Sequence, residues 1–278
     1  MDIGVNLFLT DLSISPTKLA RELEDRGFSA LYMAEHTHIP VSRLTPYPMG
    51  DELPENYKRT LDPFVALSAA AAVTTTLKLG TAVCLPMEHD PIALAKAIAS
   101  LDHLSGGRFT FGVGVGWNRE EAADHGVAWE TRRALTGERI KLMKALWTED
   151  EASFHGEHAN LEPSWAWPKP AQKPHPRVLV GANAGPITFA GIADYADGWM
   201  PMGGRGVREN LPKLQAAFAA AGRDPATIEV VPCAVWGEAG KLAYFAELGI
   251  TEVLLQLPLG DEREVMDALD HYTPLLGR

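Results

Sequence analysis

The run AEHTHIP (34–40) sets an acid, Glu35, beside His36 and places a second imidazole at His38. Histidine changes charge near neutral pH, so His36 can give or take a proton beside a reacting group. An H-x-H pair can also hold a metal, as in hydrolase barrels that carry it after the first strand with an acid after the last. Here the pair follows the second apolar strand and Gln256 stands on the last, so no metal is expected. Two glycine runs offer different chemistry. GVGVGW (112–117) follows a strand directly, and its glycines serve either a phosphate or close packing of strand on loop. GANAGP (181–186) follows a strand and opens a helix, where free N–H groups and the helix dipole suit a phosphate; a tight turn is the alternative.

These residues need elements to position them, and the chain alternates strand and helix from end to end. Apolar strand segments fall at 2–8, 28–33, 77–83, 108–114, 177–181, 197–200, 227–232 and 251–257. Helical spacing follows each, at 16–26, 63–75, 91–103, 130–147, 186–194, 207–221, 238–247 and 262–275. Ser15 and Pro16 open the first helix and Gly27 stops it; Gly106 and Gly107 stop the third. Eight βα units with apolar strands imply a parallel sheet covered on both faces, closed as an α/β (β/α)8 TIM barrel with insertions. Residues 1–278 are expected to form a single such domain. A doubly wound sheet is the alternative, and the lack of a clean dinucleotide fingerprint counts against it. Two segments break the rhythm. Residues 36–61 follow a strand end, on the face where barrels act; 149–176 include a hairpin (152–164) and a Trp/Pro stretch (165–176). Trp165 and Trp167 are expected as a lid or a cover for the barrel base.

The residues after the strands are rich in glycine and poor in acids: Glu35 and His36, Gly114 and Gly116, Gly181 and Gly185, Gly203 and Gly204, and Gln256. Such a mouth suits a flat cofactor lying close to the backbone more than a metal. His155 and His158 belong to a solvated hairpin, His89 and Asp90 to a helix cap, and the acids of 116–126 to a solvated helix face. Cys84 and Cys233 sit in apolar runs and read as small buried hydrophobes. The net charge of −11 argues against a nucleic-acid partner, since duplex binding needs Lys and Arg on phosphates. No apolar run approaches the ~20 residues that span a bilayer, and the N-terminal run has no secretory pattern. A reducing cytoplasm is expected.

The stretch from Leu77 to Glu121, with LSGGR and GVGVGW, resembles the most characteristic segment of the luciferase-like monooxygenases. It is similar in particular to their actinobacterial branch of probable coenzyme F420-dependent oxidoreductases. The runs 34–40 and 177–203 resemble the same family, and the likeness extends over essentially the whole chain. The resemblance implies a planar redox ring at the C-terminal mouth, backed by a non-proline cis peptide that matches Ala82–Val83. It implies His36 as the proton-transferring residue with Glu35 beside it. Gly114, Val115 and Gly116 would face the ring and its ribityl chain, and Asn118, Gly181, Ala182, Asn183, Ala184 and Gly185 would approach the phosphate. Arg43, Lys58 and Arg205 are the candidates to meet an acidic cofactor tail. Bacterial luciferases carry a Cys-Arg pair where this chain has Gly114 and Val115, which removes an arginine from the FMN phosphate and favours the deazaflavin. The sugar-phosphate dehydrogenases of the family carry an acid where this chain has Trp117, so their substrate is not transferred.

The expected reaction is hydride transfer between coenzyme F420 and a small-molecule substrate. FMN is the alternative cofactor, in a monooxygenase with a separate cofactor reductase; a non-catalytic carrier is the other alternative. Family members often pair, so a homodimer is expected by resemblance, with neither nucleic acid nor membrane as partner.

Overall fold

The computed structural model describes residues 1–50 and 52–277. The elements run β1 (Asp2–Leu7), α1 (Pro16–Arg26), β2 (Ala30–Met33), α2 (Pro63–Ala71), β3 (Lys78–Thr81), α3 (Pro91–Ser105), β4 (Phe109–Val113), α4 (Arg119–Asp124) and α5 (Arg132–Thr148). They continue with β5 (Ala152–His155), β6 (Asn160–Ser164), β7 (Arg177–Val180), α6 (Pro186–Tyr195), β8 (Gly198–Trp199), α7 (Val207–Ala220), β9 (Glu229–Val230), α8 (Ala239–Glu247), β10 (Glu252–Gln256) and α9 (Glu262–Tyr272). Eight strands pair in parallel in the order β10-β1-β2-β3-β4-β7-β8-β9, and β5 and β6 form the separate antiparallel hairpin. Beyond β9 the chain reaches β10: Leu254 N–H donates to the Pro232 carbonyl (2.9 Å) and Gln256 N–H to that of Val235 (2.8 Å). These bonds bring the two ends of the sheet together, as the eight alternating units require.

Helix boundaries follow the expected caps. Ser15 accepts from Lys18 N–H at the start of α1, and Gly27 ends the helix at φ 86°. Asp90 caps α3 by accepting from Ala93 N–H. The LSGGR signature is structural. Gly106 turns left-handed (φ 72°) to end α3, and the Arg108 guanidinium donates to the carbonyls of Leu77 (2.7 Å) and Ala71 (3.1 Å). The Trp/Pro stretch is tied to α3 by Gln172, whose N–H and side-chain amide donate to buried Asp102. Trp165 and Trp167 are 80% and 60% exposed, so they neither close a lid nor cover the barrel base.

The barrel interior is packed by Ala30, Tyr32, Leu179, Met200, Val231, Cys233 and Leu254. Gly80 leaves room for the Tyr32 ring, which a Cβ there would strike. At the N-terminal end Arg177 of β7 donates to Glu252 (2.8 Å), Glu229 (2.6 Å), the Tyr32 hydroxyl (2.9 Å) and Thr110 Oγ1 (3.1 Å). Four strands are thereby tied to one guanidinium. Burial pushes the Tyr32 hydroxyl up, well out of its ordinary range. Among the described residues no helix is long and apolar enough to cross a membrane.

Candidate active site

At the C-terminal mouth the chain leaves β3 through Ala82–Val83, whose peptide bond is cis. This bulge is held on both sides. Ala82 N–H donates to the Met33 carbonyl of β2 (2.6 Å), and Cys84 N–H to the Gly112 carbonyl of β4 (2.8 Å). Val83 then stands between two glycines. A Cβ on Gly114 would lie 2.5 Å from Val83 Cγ2, and one on Gly181 would strike Val83 Cγ1. Valine is stiff at χ1, so it cannot swing away cheaply. Gly114→Ala should therefore destabilise the protein by about 1–3 kcal/mol, the cost of overpacking. Adding Val83→Ala should restore most of it; thermal unfolding of both variants measures this.

Glu35 lies under the bulge rather than at the mouth. It is 3% exposed, and both carboxylate oxygens are occupied. Leu85 N–H donates to Oε2 (2.7 Å), and His89 Nε2 bonds Oε1 at 2.8 Å. Burial pushes the carboxyl up, but bonds from His89, Leu85 N–H and the Cys84 thiol outweigh it and the net shift is downward. Burial pulls His89 down, and Glu35 more than reverses it, so His89 titrates above its ordinary range. His89 is thus an ion-pair partner of Glu35 rather than a helix cap. Ligand atoms of Glu35, Cys84 and His89 lie within 4.8 Å of one another. Their mutual bonds satisfy them, and burial drives the Cys84 thiol far above its ordinary value, away from the thiolate a metal needs.

His36 turns the other way. Its Nδ1 lies 2.9 Å from both carboxylate oxygens of Glu121, which is 1% exposed. A carboxylate only accepts, so Nδ1 carries the hydrogen and Nε2 keeps its lone pair in the neutral ring. Among the described residues Nε2 has no protein partner. Phe8 stacks parallel to the imidazole (6.5 Å, 10°), and Tyr57 (5.1 Å) and Trp117 (6.0 Å) close around it. A base held by a buried acid within an aromatic wall is an arrangement for proton transfer.

The acids of 116–126 are therefore a correction to the sequence reading. Asn118 is buried and caps α4, its Oδ1 accepting from Glu120 and Glu121 N–H, while its Nδ2 has no hydrogen-bond partner among the described residues. From α4, Glu120 accepts from Thr45 N–H (2.9 Å), Glu121 holds His36, and Asp124 bonds His38 Nε2 at 3.1 Å. The short helix thus ties down the 36–61 insertion.

A third buried carboxylate, Glu88, lies below Gly116, and neither of its oxygens has a hydrogen-bond partner. Burial, then the charges of Glu121 and Glu35, push it up to about 9. The unfolded chain releases this proton near the ordinary 4.5, and the folded chain holds it to about 9. Stability is thus lost progressively as pH rises through that window. Glu88→Gln should be more stable than wild type, by about 3 kcal/mol at pH 7, with a gap that widens between pH 5 and 9. Denaturant titrations across that range test it; a gap independent of pH would contradict it.

The second glycine run lies across the mouth. Ala182 accepts from Trp199 Nε1 (2.8 Å), Asn183 and Ala184 are exposed, and α6 starts after Gly185 without a side-chain cap. A cleft of about 320 Å³ beside it is lined by Val115, Arg133, Thr188 and Tyr195, among others. Of the basic residues considered for an acidic tail, Lys58 pairs with Glu55 (2.6 Å), Arg43 lies 5.8 Å from the Trp117 ring, and Arg205 is exposed.

The profile of the luciferase-like monooxygenase family matches residues 16–235. The chain belongs to this family. It is 50% identical to an uncharacterized protein of Mycobacterium tuberculosis, over all of this chain and 98% of that one. An F420-dependent glucose-6-phosphate dehydrogenase of Kineococcus radiotolerans is 33% identical over 59% of this chain and 50% of its own. An FMNH2-dependent dimethylsulfone monooxygenase of Pseudomonas putida is 31% identical over 55% and 43%. Among solved structures, an F420-dependent secondary alcohol dehydrogenase superposes with a TM-score of 0.76 at 18% identity, covering 99% of this chain and 98% of that one. The luciferase-like relatives thus include both F420-dependent and FMN-dependent oxidoreductases.

Proposed function

We infer that this luciferase-like protein is an F420-dependent oxidoreductase acting on a small organic substrate. The observation that carries this reading is His36: its Nδ1 is fixed by buried Glu121, and its Nε2 is free, on the loop adjoining the Ala82–Val83 bulge. Val83, Gly114 and Gly181 fit a flat ring, because they present small groups and backbone where larger side chains have no room. When bound there, the deazaflavin supplies the site that takes or gives the hydride. The chain's own residues do the rest. His36 Nε2 takes the substrate's hydroxyl proton on oxidation and returns it on reduction, Glu121 stabilises the imidazolium, and the Phe8, Tyr57 and Trp117 rings keep water from the exchange. Glu35 acts one layer below, bracing the bulge through Leu85 and His89. The phosphate belongs at the uncapped start of α6, with Gly181 to Gly185 offering main-chain N–H groups.

Val115 favours F420 over FMN, since the arginine that luciferases carry at this position is absent. A homodimer and a cytoplasmic setting belong to the same reading; the FMN reading adds a separate reductase. Titrating purified protein with F420 and with FMN, followed by fluorescence, tests the choice. F420 should bind about tenfold or more tightly, a difference of about 1.4 kcal/mol. Tighter FMN binding overturns it.

A further inference from the structure

The rings around His36 do more than exclude water, because they decide what else fits beside it. The imidazole side chain is only 6% exposed. Phe8 follows β1, Trp117 follows β4, and Tyr47 and Tyr57 belong to the insertion after β2, so all four rings stand at strand ends around the mouth. They form one connected set. Phe8 meets Tyr57 at 4.7 Å, Tyr47 meets Tyr57 at 5.2 Å, and Trp117 meets Tyr47 at 5.9 Å and Tyr57 at 6.2 Å. The contacts among Tyr47, Tyr57 and Trp117 are edge-on, at 71°, 68° and 81°. Phe8, Tyr47 and Trp117 are half-buried, so part of each ring is left without a protein neighbour.

The polar groups on this side are committed to the protein. Asn6 and Gln256, at the ends of β1 and β10, bond each other (2.9 Å), and their remaining amide atoms meet the Ala234 N–H and the Leu257 carbonyl. Glu121 holds His36, Glu120 holds Thr45, and Lys58 and Arg59 pair with Glu55. Arg43 is exposed to water, 5.8 Å from the Trp117 ring. The Tyr47 and Tyr57 hydroxyls bond each other (3.3 Å), which uses one of their two hydrogens; the other has no acceptor among the described residues. Burial pushes the Tyr57 hydroxyl up, so the pair keeps both hydrogens at neutral pH. What the wall offers a substrate is therefore flat carbon surface, the His36 lone pair, one tyrosine hydrogen and the Trp117 indole N–H.

We propose that the substrate is an alcohol whose reacting carbon bears a flat apolar group, of the aryl-substituted class, and that Tyr47, Tyr57 and Trp117 select it. A planar group gains ring contact with the edges and faces of this wall in addition to the area it buries. A sugar or sugar phosphate loses there, because several hydroxyls would leave water for groups that cannot bond them. The substrate's single hydroxyl, by contrast, is matched: its hydrogen meets His36 Nε2 and its oxygen accepts the free tyrosine hydrogen. Oxidation breaks one C–H and one O–H bond. The hydride goes to the bound deazaflavin and the proton to His36 Nε2, which leaves a ketone or aldehyde; reduction reverses both transfers. Leu44 lies between Arg43, at the Trp117 ring, and Thr45, which Glu120 holds, and is 85% exposed. It adds apolar surface at the rim for a substituent on the aryl group.

This substrate class rests on the oxidoreductase reading for its chemistry, but its first test needs no cofactor. Saturation-transfer NMR on the purified protein should show transfer to the phenyl protons of 1-phenylethanol and none to glucose 6-phosphate. The phenyl signal should fall several-fold in Trp117→Ala and persist in Trp117→Phe. No transfer in wild type, or equal transfer to the sugar phosphate, would overturn the proposal even if F420 binds. With F420 bound, kcat/KM for 1-phenylethanol should exceed that for 2-propanol by about 100-fold or more, since a phenyl group replaces a methyl. Trp117→Ala should cut that preference at least about tenfold, chiefly through KM, and Trp117→Phe should keep most of it. A wild type that prefers glucose 6-phosphate, or 2-octanol over 1-phenylethanol, would overturn the proposal whether or not the variants fold. If neither F420 nor FMN binds, the functional reading fails while the NMR result still decides whether the rings select an aryl alcohol.

Discussion

Replacing His36 by alanine should lower turnover by about 10²–10⁴-fold while cofactor affinity changes by no more than a few-fold. The size follows from the removal of a positioned acid–base group; the selectivity follows from where the ring sits. In the proposed reading the ring lies against Val83, Gly114 and Gly181, and none of these bonds the imidazole. Glu121→Gln should sit between the variant and wild type. An amide can donate to Nδ1, which moves the ring hydrogen to Nε2 and leaves the wrong tautomer facing the substrate. Steady-state rates with matched fluorescence titrations separate the two effects. An alanine variant with unchanged turnover would remove His36 from the mechanism.

Arg177→Ala should destabilise the barrel by about 3–5 kcal/mol, because it strands a carboxylate inside the protein. Glu252 is 3% exposed and loses its cation, and the Tyr32 hydroxyl and Thr110 lose a donor at the same time. For a chain of 278 residues this corresponds to a drop in melting temperature of about 5–9 °C. Adding Glu252→Gln should recover part of the loss, since it removes the unpaired charge. Differential scanning calorimetry distinguishes this from a surface ion pair, for which the loss would be about 0–1 kcal/mol.

The barrel was legible because short apolar runs alternate with helical spacing, and glycines such as Gly27 and Gly106 mark where α1 and α3 stop. β8 and β9 pair over only two residues each, yet their place in the alternation made them readable. The bulge at Ala82–Val83 was accessible only through family resemblance; nothing in the residue types marks it. Glu35 and His36 are adjacent, and the resemblance implies both at the reacting site. Successive residues leaving a strand point to opposite sides, so one faces the mouth and the other the packing beneath it. The true partner of His36 lies 85 residues away on α4. A Glu-x-x-Asp-His run after a glycine loop looks like a solvated helix face, and nothing in its spacing marks Glu121 as the partner of His36. Asn118 entered as a phosphate contact through the resemblance alone; its cap on α4 uses the side-chain oxygen and leaves Nδ2 without a partner.

The most direct test of the site is a structure of the protein with F420 bound. The expected result places the ring against the Ala82–Val83 bulge, between Gly114 and Gly181, with His36 Nε2 facing the substrate side of that pocket. A ring held elsewhere, or a His36 whose Nε2 faces away from the bound cofactor, would contradict it.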